Sequence, residues 1–357
     1  MDQGGNMTVA ESQRWAEACR ALPFAYGEPA LSGLLKVEPE DFEVEEVLGF
    51  MPDGTGEHVF VYLEKRGLTT PDAQLALSRA LRLHPRDIAF SGMKDKQALT
   101  RQWFSLHVPK GEPVLDACNT DSMRILHAAR NSRKLRRGSH VANRFRIRLQ
   151  CCEGSREWLD LRLEQVSLRG VPNYFGPQRF GNGCSSLLQS VDWLEGRTQE
   201  RKRTRCSLLL SAARAFLFNQ VLAERVRLQN WSQAMDGEVM ALSGSGSVFA
   251  AAKAEVAELQ RRLDEMDLHP SGPLWGRGSS MATGESLVLE QNVIAAWPTL
   301  ASGLEAQGLQ QERRSLRLQV QDLLHAWDTT TLQLDFTLAK GSYATSVLRE
   351  LITTGQP

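Results

Sequence analysis

Ser91-Gly-Met-Lys-Asp-Lys-Gln-Ala-Leu-Thr-Arg-Gln-Trp103 places one carboxylate, Asp95, between two lysines just after a glycine turn, with apolar sequence on either side. Residues 88–90 (Ile-Ala-Phe) have the composition of the end of a buried strand. Residues 102–108 alternate, with Phe104, Leu106 and Val108 on one face, which predicts the next strand. Asp95 is therefore expected in a loop held by two scaffold strands, a common mounting for catalytic groups. Lys94 and Lys96 are expected to favour its ionised form. On residue types alone, a solvated loop aspartate between two lysines explains the same string.

Outward from this loop, strand patterns dominate the N-terminal half. Residues 34–47 alternate in part, with Phe42, Val44 and Glu46 facing one way, and residues 58–63 do so with Val59, Val61 and Leu63. Thr70-Pro-Asp72 predicts a helix start: Thr70 as cap, Pro71 at the first helical position, Asp72 facing the positive end of the dipole. Ala73, Leu77 and Ala80 give that helix one buried stripe. Residues 144–149 put Phe145, Ile147 and Leu149 on one side and Arg144, Arg146 and Arg148 on the other, so one face can pack while the other presents cations.

After Gly170 the pattern turns helical. Residues 208–228 carry Ala213, Leu217, Phe218, Val221 and Leu222 on an apolar side, and Val256, Leu259 and Leu263 repeat at helical spacing. Gly- and Ser-rich loops occupy 243–247 and 276–280. Strand alternation resumes at 332–338 with Leu332, Leu334, Phe336 and Leu338 on one face. A β-rich start and end around a helical middle predict a domain inserted into a loop of another.

The chain has 357 residues and 42% apolar content, enough for two domains with buried cores. No run of about eighteen apolar residues occurs, so no membrane span is expected. The N-terminus lacks the pattern of a secretory signal, and Met1–Asn6 is expected to fray. Six cysteines without CxxC spacing argue against a disulfide framework or structural zinc and suit a reducing cytoplasm. Lysine plus arginine balance aspartate plus glutamate at 42 each, yet the charges are segregated along the sequence. Residues 130–148 hold many arginines and no acid, residues 201–205 add Arg201, Lys202, Arg203 and Arg205, and acid gathers at 38–46. Such segregation can make a positive face for nucleic acid on a neutral molecule. Dinucleotide fingerprints, a P-loop, HExxH and a GxSxG elbow are all missing.

The Ser91–Trp103 string resembles the active-site motif of the tRNA pseudouridine synthase D (TruD) family, which isomerises uridine 13 of certain tRNAs. Three further stretches resemble the same family and follow its order: Gly33-Leu-Leu-Lys-Val-Glu-Pro-Glu-Asp-Phe42, Val171-Pro-Asn-Tyr-Phe-Gly-Pro-Gln-Arg-Phe-Gly181 and Gly341-Ser-Tyr-Ala-Thr-Ser-Val-Leu-Arg-Glu-Leu351. The resemblance implies an α+β fold, a pseudouridine-synthase core of mixed β-sheet flanked by helices and interrupted by a smaller α/β inserted domain. Carried over, residues 1–169 form the first part of the core, 170–317 the insert and 318–357 the second part.

The resemblance also implies a chemistry. Asp95 becomes the catalytic carboxylate, with its choice among uracil C6, ribose C1′ and a ribose proton left open. Phe42, Asn143, Phe145 and Tyr343 match substrate-pocket positions, with Tyr343 standing where the family usually has Phe. Lys36, Lys94 and Lys96 are the matching substrate-side cations, Lys36 either binding phosphate or neutralising Glu38 and Glu40. The aromatic-rich stretch from Asn173 to Phe180 is either an RNA contact or a structural hinge. No metal or redox cofactor is implied, because the isomerisation loses no atom and oxidises nothing. The expected partner is tRNA, with no membrane and no obligate protein partner, in the cytoplasm. Two rival readings remain: an RNA-binding protein or tRNA folding chaperone without turnover, and a nucleoside glycosidase that releases uracil.

Overall fold

The computed structural model describes residues 7–251 and 256–355. Met1–Asn6, expected to fray, and the side chain of Val256, expected on a helix face, lie outside the described residues. The chain begins with α1 (Val9–Arg20), β1 (Leu31–Leu35), β2 (Phe42–Val47), β3 (His58–Arg66) and α2 (Thr70–Leu81). It continues through β4 (Ile88–Phe90), β5 (Leu99–His107), β6 (Met123–Asn131), β7 (Ala142–Gly154) and α3 (Arg156–Arg169). Next come β8 (Val171–Pro172), α4 (Ser185–Leu194), α5 (Arg203–Arg227), β9 (Val239–Leu242), β10 (Val248–Ala250) and α6 (Val256–Asp264). Then follow β11 (Leu268–Leu274), α7 (Gly284–Ala295), α8 (Pro298–Ala306), β12 (Glu312–Ser315) and β13 (Arg317–Leu318). The chain closes with β14 (Gln321–Asp328), β15 (Thr331–Ala339), α9 (Ala344–Leu351) and β16 (Thr353–Gly355).

One unit comprises Pro29–Ser167, Val320–Ala344 and Leu351–Pro357. Its sheet has ten strands among the described residues, in the order β14-β15-β7-β2-β5-β3-β6, with β1 beside β7, β16 beside β1 and β4 beside β5. The sheet is mixed: β2 and β5 run parallel, as do β1 and β16, while the other pairs are antiparallel. Period-two patterning sets the faces. Val59, Val61, Leu63, Phe104 and Leu106 pack with Ala73 and Leu77 of α2 and with Ile88 and Phe90. Each such side chain contributes on the order of 1.5–3 kcal/mol on burial.

The prediction for β5 needs amendment. Gln102, Trp103, Phe104, Ser105 and Leu106 are all buried, and Val108 lies beyond the strand. A strand paired on both edges and covered on both faces does not alternate. The helix cap also shifts by one residue. Thr69 caps α2: its side chain accepts from Asp72 N, and the Asp72 carboxylate accepts in return from the Thr69 backbone and hydroxyl. Thr70 is instead the first helical residue, fully buried, and Pro71 the second.

The other unit comprises Met1–Glu28, Leu168–Gln319 and Thr345–Glu350. The sequence reading places residues 1–28 and 345–350 in the core; among the described residues, 7–28 and 345–350 pack with this second unit. Arg349, for example, bonds the carbonyls of Leu22 and Pro23, and Ala25 N donates to Glu350. The long helix α5 runs through this unit, with Phe216, Leu217, Phe218, Val221 and Leu222 buried. By length and composition α5 is apolar enough to cross a membrane, and 61% of its most apolar window is buried inside the protein. A four-stranded sheet, β10-β9-β11-β12, completes the unit together with the short β13–β8 pair.

Candidate active site

The loop between β4 and β5 carries Asp95, and side chains from four neighbouring elements hold it. Ser91 O accepts from Gly138 N at 2.9 Å, and the buried Ser91 hydroxyl meets His140 Nδ1 at 2.7 Å. Gln102 Nε2 donates to Gly92 O at 3.1 Å. Thr70 Oγ1 accepts from Lys94 N at 2.9 Å and donates to Gln102 Oε1 at 2.8 Å. Lys65 Nζ, 1% exposed, donates to Leu68 O at 2.6 Å and to Asp95 O at 3.0 Å. Backbone groups that leave a strand ladder need partners when buried, and here buried side chains supply them.

The Asp95 carboxylate itself is reachable, its side chain 29% exposed. Oδ2 is ion-paired with Lys36 Nζ, and Oδ1 accepts from Gln97 N at 3.0 Å. Partial burial pushes this carboxyl up, but the Lys36 ammonium and the N–H groups of Gln97 and Lys96 outweigh it, and the pKa falls below the ordinary aspartate value.

This corrects the expected source of the stabilising charge. Lys94 turns away from Asp95 and forms an ion pair with Glu46 at 2.6 Å, the two side chains 5% and 0% exposed. Burial raises the Glu46 carboxyl, with Lys94 and the Trp103 N–H acting against it. Lys96 is exposed. Lys36 pairs with Asp95, and Glu40 pairs with Arg66.

The other pocket candidates adjoin on one face of the sheet. Lys36 Nζ lies 4.4 Å from the centroid of the Phe42 ring. Phe42 meets Phe145 edge-on at 6.2 Å, and Phe145 stacks on Phe336 at 5.3 Å. Register explains the grouping: Phe42, Val44 and Glu46 of β2 pair with Ile147, Phe145 and Asn143 of β7. Asn143 is buried, and its Oδ1 accepts no hydrogen bond among the described residues. A buried acceptor without a partner is uncommon in folded proteins. Tyr343 follows β15 and is half-buried.

The expected cationic sheet face is a mixed ladder. Arg101 pairs with Glu43 and Glu64, Arg146 with Asp335, and Arg148 approaches Asp41 at 3.4 Å. Acid and base lie far apart in sequence, but β2 and β7 are adjacent strands, so the sheet interleaves them. Arg133, Lys134, Arg136 and Arg137, between β6 and β7, stay exposed. Arg201, Lys202, Arg203 and Arg205 are exposed as well. In the aromatic-rich stretch, Tyr174, Phe175 and Phe180 are buried and Asn173 Nδ2 bonds Ser315 O, which is a structural role within its unit.

Sequence reasoning missed Lys65, Thr70 and Gln102 as supports of the loop. One signal was readable: Lys65 continues the inward period of Val59, Val61 and Leu63, so the register aims it at the core.

The profile of the family described as tRNA pseudouridine synthase D (TruD) matches residues 20–188 and 184–351. The chain belongs to the tRNA pseudouridine synthase D family. It is an isomerase of the pseudouridine synthase class. Among its relatives, tRNA pseudouridine synthase D of Azotobacter vinelandii is 47% identical over 334 residues, covering 92% of this chain and 94% of that one. The protein of the same name from Pseudomonas putida KT2440 is 44% identical over 339 residues, covering 94% and 96%. A solved structure of a Methanosarcina mazei protein described as a TruD aligns with a TM-score of 0.73 at 21% identity, covering 92% of this chain and 95% of that chain. That likeness speaks for the fold, a pseudouridine-synthase core carrying an inserted domain.

Proposed function

We propose that this enzyme isomerises uridine 13 of tRNA to pseudouridine, with Asp95 as the carboxylate that opens the reaction. The observation that carries the reading is the Asp95 carboxylate, held ionised by Lys36 at the border of the Phe42–Phe145–Phe336 floor. Pseudouridine formation breaks the N1–C1′ bond, turns the uracil and joins C5 to C1′, releasing the C5 proton. An ionised carboxylate beside ribose and base serves each route by which that exchange can start. The aromatic floor suits the face of a base, where stacking is worth roughly 1–3 kcal/mol. Asn143 Oδ1, a buried acceptor without a hydrogen-bond partner among the described residues, has the chemistry to receive the N3–H of uracil. Lys94 is tied up by Glu46, so its part is to hold the loop, and the tRNA phosphates fall to the exposed cations of residues 133–137. The position within tRNA rests on the family resemblance.

Carbodiimide–primer-extension mapping of tRNA from cells with and without this protein tests the reading. The expected result is a stop reporting pseudouridine at position 13 that disappears when the protein is removed. A position-13 signal that is unchanged without the protein would contradict it, and free uracil in place of pseudouridine would point to a glycosidase.

A further inference from the structure

The loop that holds Asp95 has seven residues between β4 and the apolar Ala98, and the carboxylate leaves it at a point where no strand ladder constrains the backbone. What fixes that point is Lys65. It stands on β3 opposite Thr100 of β5, on the inward sheet face. Its stem is buried, and its ammonium spans two segments that are not neighbours in sequence. One bond goes to Leu68 O, in the turn entering α2; the other goes to Asp95 O itself. A buried ammonium is costly to desolvate. Burial has brought this one down to about 8, with the Asp95 charge acting against the shift. Satisfying two buried carbonyls gives the lysine a structural reason. The choice of acceptors gives it a second: the amine sets where Asp95 O, and so the Asp95 side chain, stands relative to the α2 turn.

We infer that Lys65 is a positioning residue for the isomerisation, acting on the Asp95 main chain and not on the substrate. The inference rests on Asp95 being the catalytic carboxylate. Displacement of a reacting group by about 1 Å can cost on the order of 100-fold in rate, and the bond from Lys65 acts on that displacement. Lys36 performs the other task, pairing with the carboxylate and lowering its pKa. The two lysines therefore separate experimentally: one sets geometry, the other ionisation.

The test compares Lys65→Met, Lys65→Arg, Lys36→Met and Asp95→Asn in single-turnover isomerisation of tRNA transcript at saturating enzyme. Transcript affinity, thermal melting and the pH–rate profile are measured on each folded variant. Lys65→Met should lower the single-turnover rate about 30- to 100-fold, keep tRNA affinity within about twofold, and move the acid limb of the pH–rate profile less than Lys36→Met does. Lys65→Arg, which restores donors, should recover a large part of that rate. If Lys65→Met does not fold, Lys65→Gln, with one donor left, takes its place in the same comparison. A folded Lys65→Met enzyme with wild-type rate and a lowered melting temperature would overturn the inference and leave Lys65 a structural residue. An acid limb shifted as far as by Lys36→Met would overturn it too, because Lys65 would then act chiefly on the charge of Asp95. If Asp95→Asn is inactive while Lys65→Met is fully active, only the positioning inference fails. If Asp95→Asn is active, the assignment of the catalytic carboxylate fails first.

Discussion

Two loops of the same unit, residues 91–97 and 132–141, meet at Ser91, where Gly138 N and His140 bond the first loop from the second. They are built on opposite plans. In the Asp95 loop, buried side chains hold the backbone: Gln102 at Gly92, Thr70 at Lys94 and Lys65 at Asp95. In the other loop, Arg133, Lys134, Arg136 and Arg137 project outward with few partners, Lys134 reaching Arg86 O at 3.1 Å and Arg137 lying over the Phe90 ring at 3.8 Å. The difference fits the tasks proposed for the two loops. Bond-making at a carboxylate depends on sub-ångström placement. Attraction of a polyanion depends on charge count and tolerates mobile side chains.

The comparison fails if the Asp95 loop tolerates loss of its supports. The largest effect is expected at Lys94→Met, which leaves Glu46 buried without its counter-charge. Unfolding in urea should show a loss of about 3–5 kcal/mol, the cost of breaking a buried ion pair from one side. The double change Glu46→Gln with Lys94→Met should cost clearly less. Equal losses would mean that the pair is no unit.

Lys36→Met comes next. Lys36 holds the Asp95 pKa below its ordinary value, so removing it should raise that pKa. The acid limb of the pH–rate profile should then move to higher pH, with the rate falling most on the acid side. A limb that stays put would assign the acid limb to another group.

For the outward-facing loop, changing Arg133, Lys134, Arg136 and Arg137 together to Ala should weaken tRNA binding about tenfold or more at moderate salt. It should also flatten the plot of log affinity against log salt by up to about 3, since each phosphate contact releases counterions. The rate at saturating enzyme should stay near wild type. An unchanged salt slope would remove this loop from the interface. The smallest effect is expected at Tyr343→Phe, within about twofold of wild-type rate, with Tyr343→Ala losing much more. Equal damage from both would give the hydroxyl a direct role.

Much of the scaffold was legible because period-two burial leaves a plain trace: Val59, Val61 and Leu63 on β3, and Leu332, Leu334, Phe336 and Leu338 on β15, face inward as their alternation predicts. The four family-like strings led to the family directly. Pairings across the fold were not legible. Lys94 and Lys96 flank Asp95 in sequence, but the loop turns Lys94 toward Glu46, and Lys36, on a left-handed backbone at φ 59°, reaches the carboxylate from β1's end. The acidic and basic runs read as separate patches because sequence does not show that β2 and β7 are neighbours. The packing of residues 7–28 and 345–350 with the second unit was not legible for the same reason: it depends on long-range contacts such as Arg349 with Pro23 O.

The account stands on Asp95 more than on any other residue, and Asp95→Asn tests it most directly. The change keeps size and hydrogen-bonding capacity while removing the charge that Lys36 holds. Single-turnover isomerisation, measured beside melting temperature and tRNA affinity, should show a folded protein that binds tRNA as the wild type does and forms no detectable pseudouridine. A folded, tRNA-binding Asp95→Asn protein that isomerises uridine at the wild-type rate would contradict the account.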